Sequence, residues 1–114
     1  MSKRTISTHI LNSCEGKAAG NVTVILFRKK PDNSWEEISS SKTNNDGRIE
    51  NLITLENFRG GVYKLRFGIS EYFATFHKKS LYPYIEITVE CEEGQHYHVP
   101  LLLSPFSYST YRGT

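Results

Sequence analysis

Three stretches of this chain alternate apolar and polar side chains one for one, and that period of two commits them to β structure. Val62 to Phe67 sets Tyr63, Leu65 and Phe67 against Lys64 and Arg66. Tyr84 to Glu90 sets Ile85, Ile87 and Val89 against Glu86, Thr88 and Glu90, and Gln95 to Leu103 sends Tyr97, Val99, Leu101 and Leu103 to one side. Successive side chains of a strand point to opposite faces, so each run predicts a strand with one buried face. Thr5 to Asn12, Trp35 to Thr43 and Phe106 to Arg112 read as further strands. Val22 to Arg28 is apolar both ways, with Val22, Val24 and Leu26 on one face and Ile25 and Phe27 on the other. That pattern predicts burial on both sides, or an interior strand under a partner surface.

Between these runs the chain is punctuated by turns. Asn12 to Gly20 is polar and reads as a loop, Lys29 to Ser34 as a turn, and Gly60-Gly61 and Glu92-Glu93-Gly94 as breaks. Asn44-Asn45-Asp46-Gly47 is the clearest turn signal, since Asp-Gly supplies the positive φ of a tight hairpin. One short helix is predicted over Ser70 to Lys78, with Ser70 as N-cap, Glu71 in the first turn, and Phe73 and Phe76 on one face. About seven short strands and one helix, with no repeat or linker, predict a single all-β domain over residues 1–114, a two-sheet sandwich.

Composition agrees. Val, Ile and Thr number 23 and aromatic residues 14, against three Ala, which favours pleated surfaces over helices. Charge is close to balance, 14 basic against 12 acidic side chains, and implies neither a nucleic-acid nor a membrane partner. No apolar run approaches the roughly 18 residues that cross a bilayer. The opening Met1-Ser2-Lys3-Arg4-Thr5-Ile6-Ser7 has no apolar signal-peptide core, so a cytoplasmic location is expected, with the peroxisome as alternative. Cys14 and Cys91 then read as two reduced thiols.

Candidate chemistry centres on the histidines. His96 and His98 share a strand face with Pro100 and Leu102. The pair fits three readings: two ligands of a metal site, two polar residues on an exposed face, or general acid–base groups titrating near neutrality. His9 stands in a polar strand, and His77 at a helix end. Arg48 follows the Asp46-Gly47 turn, where its guanidinium is suited either to solvent or to clamping a planar anion. Gly113 lets the backbone approach closely, placing the hydroxyl or carboxylate of Thr114 in a site.

Four segments together carry a resemblance. They are Ser7-Thr8-His9-Ile10-Leu11-Asn12, Thr43-Asn44-Asn45-Asp46-Gly47-Arg48, Tyr82-Pro83-Tyr84 and His96-Tyr97-His98-Val99-Pro100-Leu101-Leu102-Leu103-Ser104-Pro105, with the ending Tyr108-Ser109-Thr110-Tyr111-Arg112-Gly113-Thr114. The chain resembles the transthyretin-like family in its enzymatic branch, the 5-hydroxyisourate hydrolases. The ending is similar to that branch's Tyr-Arg-Gly-Ser signature, with Thr114 where Ser is usual.

The resemblance implies a transthyretin-like sandwich assembled as a homotetramer, a dimer of dimers around a central channel that holds the active sites. It implies hydrolytic opening of the cyclic amide of 5-hydroxyisourate, a step of urate degradation; with no Ser-His-Asp set apparent, direct attack by water without a metal or other cofactor is expected. His9, Arg48, His98 and Thr114 carry over as catalytic residues. His9, Arg48, Tyr111, Arg112 and Gly113 carry over as substrate-binding ones. The hormone-binding branch, a carrier of small ligands, lacks this set and is the alternative.

Overall fold

A computed structural model of the protein describes residues 4–114. Met1 to Lys3, the start of the stretch read for targeting, lie outside the described residues. Among the described residues nine strands form two sheets: β1 (Ile6–Asn12), β2 (Lys17–Ala18), β3 (Thr23–Lys29), β4 (Trp35–Lys42), β5 (Arg48–Ile49), β6 (Gly61–Phe67), β7 (Ile85–Cys91), β8 (Tyr97–Ser104) and β9 (Ser107–Thr110). One sheet runs β2-β1-β8-β9, with β5 also on β1, and the other β4-β3-β6-β7. Every pairing is antiparallel except β1 with β8, which is parallel and sets Ser7 opposite His98 and His9 opposite Pro100.

The alternation read from the sequence places the core. Tyr63, Leu65 and Phe67 of β6, Ile85 and Ile87 of β7, and Tyr97, Val99, Leu101 and Leu103 of β8 are all buried between the sheets. Ile6 and Ile10 of β1 and Val24 and Leu26 of β3 join them with no exposed surface. Removing each such side chain from water contributes about 1.5–3 kcal/mol. Buried polar groups inside this core are paired, which removes the cost of desolvating them. The Thr8 hydroxyl donates to the Val99 carbonyl at 2.7 Å, and Asn12 Nδ2 donates to the Tyr72 hydroxyl at 3.1 Å.

The second face of β3 is covered in an unexpected way. Ile25 and Phe27 are half-buried, and what covers Phe27 is no further layer. Lys64 and Arg66 of β6 lie over the Phe27 ring at 5.1 and 5.5 Å, so long cationic stems supply the cover.

Three local expectations need correction. The helix α1 is shorter than its pattern, Ile69–Ala74, with Gly68 and not Ser70 at its N-cap. It stops because His77 takes a left-handed φ of 56°, and the Lys78 N–H folds back to the Phe73 carbonyl at 3.0 Å. The loop Asn12 to Gly20 contains β2, held against the end of β1. The Asp46-Gly47 turn exists but closes no hairpin. Asn44 Oδ1 accepts the N–H groups of Asp46 and Arg48 at 2.9 and 3.0 Å, and the chain passes from β4 in one sheet to β5 in the other. Gly47, at φ 74°, is seated against β1: a Cβ there would meet the Ile10 carbonyl oxygen at 2.5 Å.

Candidate active site

The outer face of the β1–β8 sheet gathers the polar residues. On β1, Ile6, Thr8 and Ile10 turn inward, so Ser7 and His9 turn outward. On β8 the same phase sends His98 outward and Tyr97 and Val99 inward. The β5 strand lays Arg48 directly opposite His9. The Asn44 turn holds that position from both ends, since the Asn44 N–H also donates to the Arg48 carbonyl at 3.0 Å. His9, Arg48 and His98, 89 residues apart from first to last in sequence, thus share one face of one sheet.

Ser7 ties two imidazoles together. Its Oγ lies 2.7 Å from Nδ1 of His98 and 2.9 Å from Nε2 of His96, and the residue is 1% exposed. The two rings stand 6.4 Å apart between centroids. Ser7 escaped the sequence reading, although the strand period that placed His9 on the outer face places Ser7 there too. That phase was the available signal.

The last residues are bound along β8, beside His98. The Gly113 N–H donates to the His98 carbonyl at 2.8 Å, and the Thr110 hydroxyl donates to the Pro100 carbonyl at 2.7 Å. Gly113 packs so closely that a Cβ would stand 2.5 Å from Cδ2 of His98 and 3.2 Å from the Pro100 ring. Arg112 faces elsewhere. Its guanidinium covers the Tyr97 ring at 4.4 Å and donates to Gln95 Oε1 and the His96 carbonyl at 3.2 and 3.3 Å. Tyr111 is exposed and lines, with Arg112 and Val89, a groove of about 380 Å³ beside β7. Thr114 is exposed. The structure brings together His9, Arg48, His98 and Gly113, and leaves the side chains of Tyr111 and Arg112 outside that group.

Electrostatics favours neutral imidazoles here. Burial lowers the pKa of His9 below the free value, and the nearby Arg48 cation lowers it further, against the pull of Asp46 and Glu50. Burial likewise lowers His98, aided by His96, Arg48, His9 and Arg4, and lowers His96, aided by Arg4 and Arg112 against Glu50. Neutral imidazoles accept protons at neutral pH, the state required of a general base. Glu50 is held ionised by its hydrogen bond from Arg4. Among the described residues the Arg48 side chain forms no ion pair, so its cation is available to an anion.

Other candidates stand apart from this cluster. His77 is exposed at the end of α1. Cys14 and Cys91 are both free thiols, and burial pushes the Cys91 thiol up to about 11, which keeps it protonated and unreactive. Among the described residues no group of three or more His, Cys, Asp or Glu side chains is disposed to hold a metal ion.

A two-sheet sandwich that gathers imidazoles and a guanidinium without an ion-pair partner among the described residues on one outer face has the form of a transthyretin-like protein that carries groups for proton transfer. The chain belongs to the HIUase/Transthyretin family, whose model matches residues 6–113. It is 40% identical over 112 residues to the probable 5-hydroxyisourate hydrolase of Schizosaccharomyces pombe, covering 96% of this chain and 90% of that one. It is also 40% identical to the mouse 5-hydroxyisourate hydrolase, covering 96% and 94%. Among solved structures it superimposes on transthyretin from Sparus aurata with a TM-score of 0.93 at 31% identity, covering 97% of each chain. Sea bream transthyretin in complex with thyroxine gives a TM-score of 0.90 at 34% identity, covering 95% and 93%.

Proposed function

We propose that this chain is a hydrolase that opens 5-hydroxyisourate to 2-oxo-4-hydroxy-4-carboxy-5-ureidoimidazoline. The observation that carries this reading is the convergence of His9, Arg48 and His98 on one sheet face. A ligand carrier has no use for two neutral, proton-accepting imidazoles beside a cation that has no ion-pair partner among the described residues, whereas ring hydrolysis uses each of them. The family relatives bearing the hydrolase name span almost the whole chain.

The reaction is water attack on a cyclic amide carbonyl. One imidazole, His9 or His98, takes the proton from water as the oxygen bonds to carbon. The other imidazole and the Arg48 fork stabilise the oxyanion and assist protonation of the departing nitrogen. An arginine fork matches the hydrogen-bonding edge of a planar, often anionic heterocycle better than a lysine. Positioned acid–base groups contribute roughly 100- to 10,000-fold, and an oxyanion donor about 3 kcal/mol. Gly113 seats the chain's last residues against His98, and Arg112 anchors them through Tyr97.

We further propose that the site works in a homotetramer. Among the described residues, two grooves, about 390 Å³ beside β4 and about 380 Å³ beside β7, enclose none of His9, His96 and His98. The cluster lies on an open sheet face that neighbouring copies would wall in. Phe106 and Leu81, 68% and 63% exposed, and the strand edge at β9 are surfaces that such copies would cover.

The test follows the absorbance of freshly generated 5-hydroxyisourate, with and without a strong chelator. Decay accelerated by the protein and unchanged by the chelator supports metal-free hydrolysis. Decay at the spontaneous rate refutes the hydrolase reading, and loss of activity with chelator refutes the metal-free mechanism.

A further inference from the structure

Ser7 has one hydroxyl proton and two imidazole nitrogens to satisfy, 2.7 Å away on His98 and 2.9 Å away on His96. If the hydroxyl spends its proton on one ring, the other ring must present an N–H to the oxygen. The tautomers of the two rings are therefore locked to each other. In one arrangement His98 donates from Nδ1 to Ser7, Ser7 donates to Nε2 of His96, and Nε2 of His98 is bare. In the other all these bonds reverse, and Nε2 of His98 carries the proton.

We propose that Ser7 and His96 are positioning residues that hold His98 in the first arrangement and relay its proton, so that His98 is the base of the reaction. This rests on the hydrolase reading for its chemistry, though the tautomer lock is a property of the resting protein. Three features support it. Ser7 is sealed from solvent, so water does not compete for its hydroxyl. Nδ1 of His98 is committed to Ser7, which leaves Nε2 as the ring's working atom. Gly113 packs beside the His98 ring so closely that no Cβ fits between them, which limits how the ring can move.

The relay balances. Nε2 of His98 takes a proton from water as the water oxygen bonds to the carbonyl carbon. The Nδ1 proton passes to Ser7 Oγ, and the hydroxyl's own proton passes to Nε2 of His96. His98 is then neutral, with a proton on Nε2, and the positive charge sits on His96. Donation of that Nε2 proton to the ring nitrogen accompanies cleavage of the C–N bond, and the two relay protons return. The charge moves away from a crowd of cations: His98 faces His9 and Arg48 as well as Arg4 and the Glu50 carboxylate, while His96 faces Arg4, Arg112 and Glu50.

Nitrogen-15 NMR of the imidazoles at about pH 8, where free imidazole is neutral, tests the lock without substrate. Both His98 and His96 are expected to carry their proton on Nδ1, and Ser7→Ala is expected to move the His98 proton toward Nε2. A His98 proton found on Nε2 in the wild type, or unmoved in Ser7→Ala, overturns the proposal. Kinetics tests the relay. His96→Gln keeps a side chain able to bond Ser7 but unable to take its proton. It is expected to lower kcat about tenfold with KM changed less than about twofold. The acid limb of kcat is expected to shift to higher pH, because His98 loses a neighbour that can become cationic. Unchanged kcat and pH profile in His96→Gln overturn the relay. Failure of the wild type to consume 5-hydroxyisourate would strike the hydrolase reading instead, and the NMR result would still decide the lock.

Discussion

The outer faces of the two sheets both carry cations, and they treat them in opposite ways. On the β4-β3-β6-β7 sheet, Lys64 and Arg66 share the Glu86 carboxylate at 3.5 and 2.7 Å and lie on the rings of Trp35 and Tyr84, each at 4.4 Å. Charge and aromatic surface there are neutralised by one another. On the β1–β8 sheet, Arg48 has no ion-pair partner among the described residues, and the imidazoles beside it are kept neutral by burial and by that cation. A satisfied cation covers a sheet; an unsatisfied one beside proton acceptors is a site awaiting an anion. Two arginines of one small domain differ in function because their neighbours differ.

The contrast is sharpest in a pair of substitutions. Arg48→Ala should lower kcat/KM for 5-hydroxyisourate by about 100- to 1,000-fold, the cost of losing one oxyanion donor. Arg66→Ala, an equal loss of charge on the other sheet, should change kcat/KM by less than about twofold, since it touches nothing that reacts. Equal losses in both would erase the distinction drawn here. Gly113→Ala comes next. The added methyl must displace the His98 ring or lift the last residues away, so kcat should fall about 10- to 100-fold. Circular dichroism should show the fold retained.

Acid should weaken the protein through the histidine face. Folding lowers the pKa of His9, His96 and His98, so the unfolded chain binds more protons as the pH drops below about 6.5. The melting temperature should therefore fall from about pH 6.5 downward, and His9→Gln should flatten that decline. The smallest effect belongs to the opposite face. Glu86→Gln, which unpairs Lys64 and Arg66 where they are partly exposed, should cost about 0.5–1 kcal/mol in urea unfolding and leave kcat unchanged.

Much of this arrangement was legible before any coordinates. The phase of β8 followed from alternation alone, because a core-facing Tyr97, Val99, Leu101 and Leu103 forces His98 outward. What periodicity does not encode is partnership. Nothing local in Ser7 or His98 tells that they face each other across a parallel ladder, since that pairing is decided by global packing. The strands β2 and β5 span two residues each, too few to show a period. The Asp46-Gly47 turn carried the right local conformation but misled about its neighbours, because a turn fixes φ and not the sheet that the next residue joins. The helix end depended on a left-handed His77, a residue type without glycine's freedom there. His9, Arg48 and His98 were marked as a set by resemblance, while Ser7 came into view only with its distances to the two rings.

The most direct trial of the imidazole pair is a double-mutant cycle on kcat for 5-hydroxyisourate. His9→Ala and His98→Ala should each lower kcat by at least about 100-fold, and the double variant should lose little beyond the worse single, as groups acting in one transition state do. Near-normal turnover in either single variant would contradict a reaction run by these two histidines.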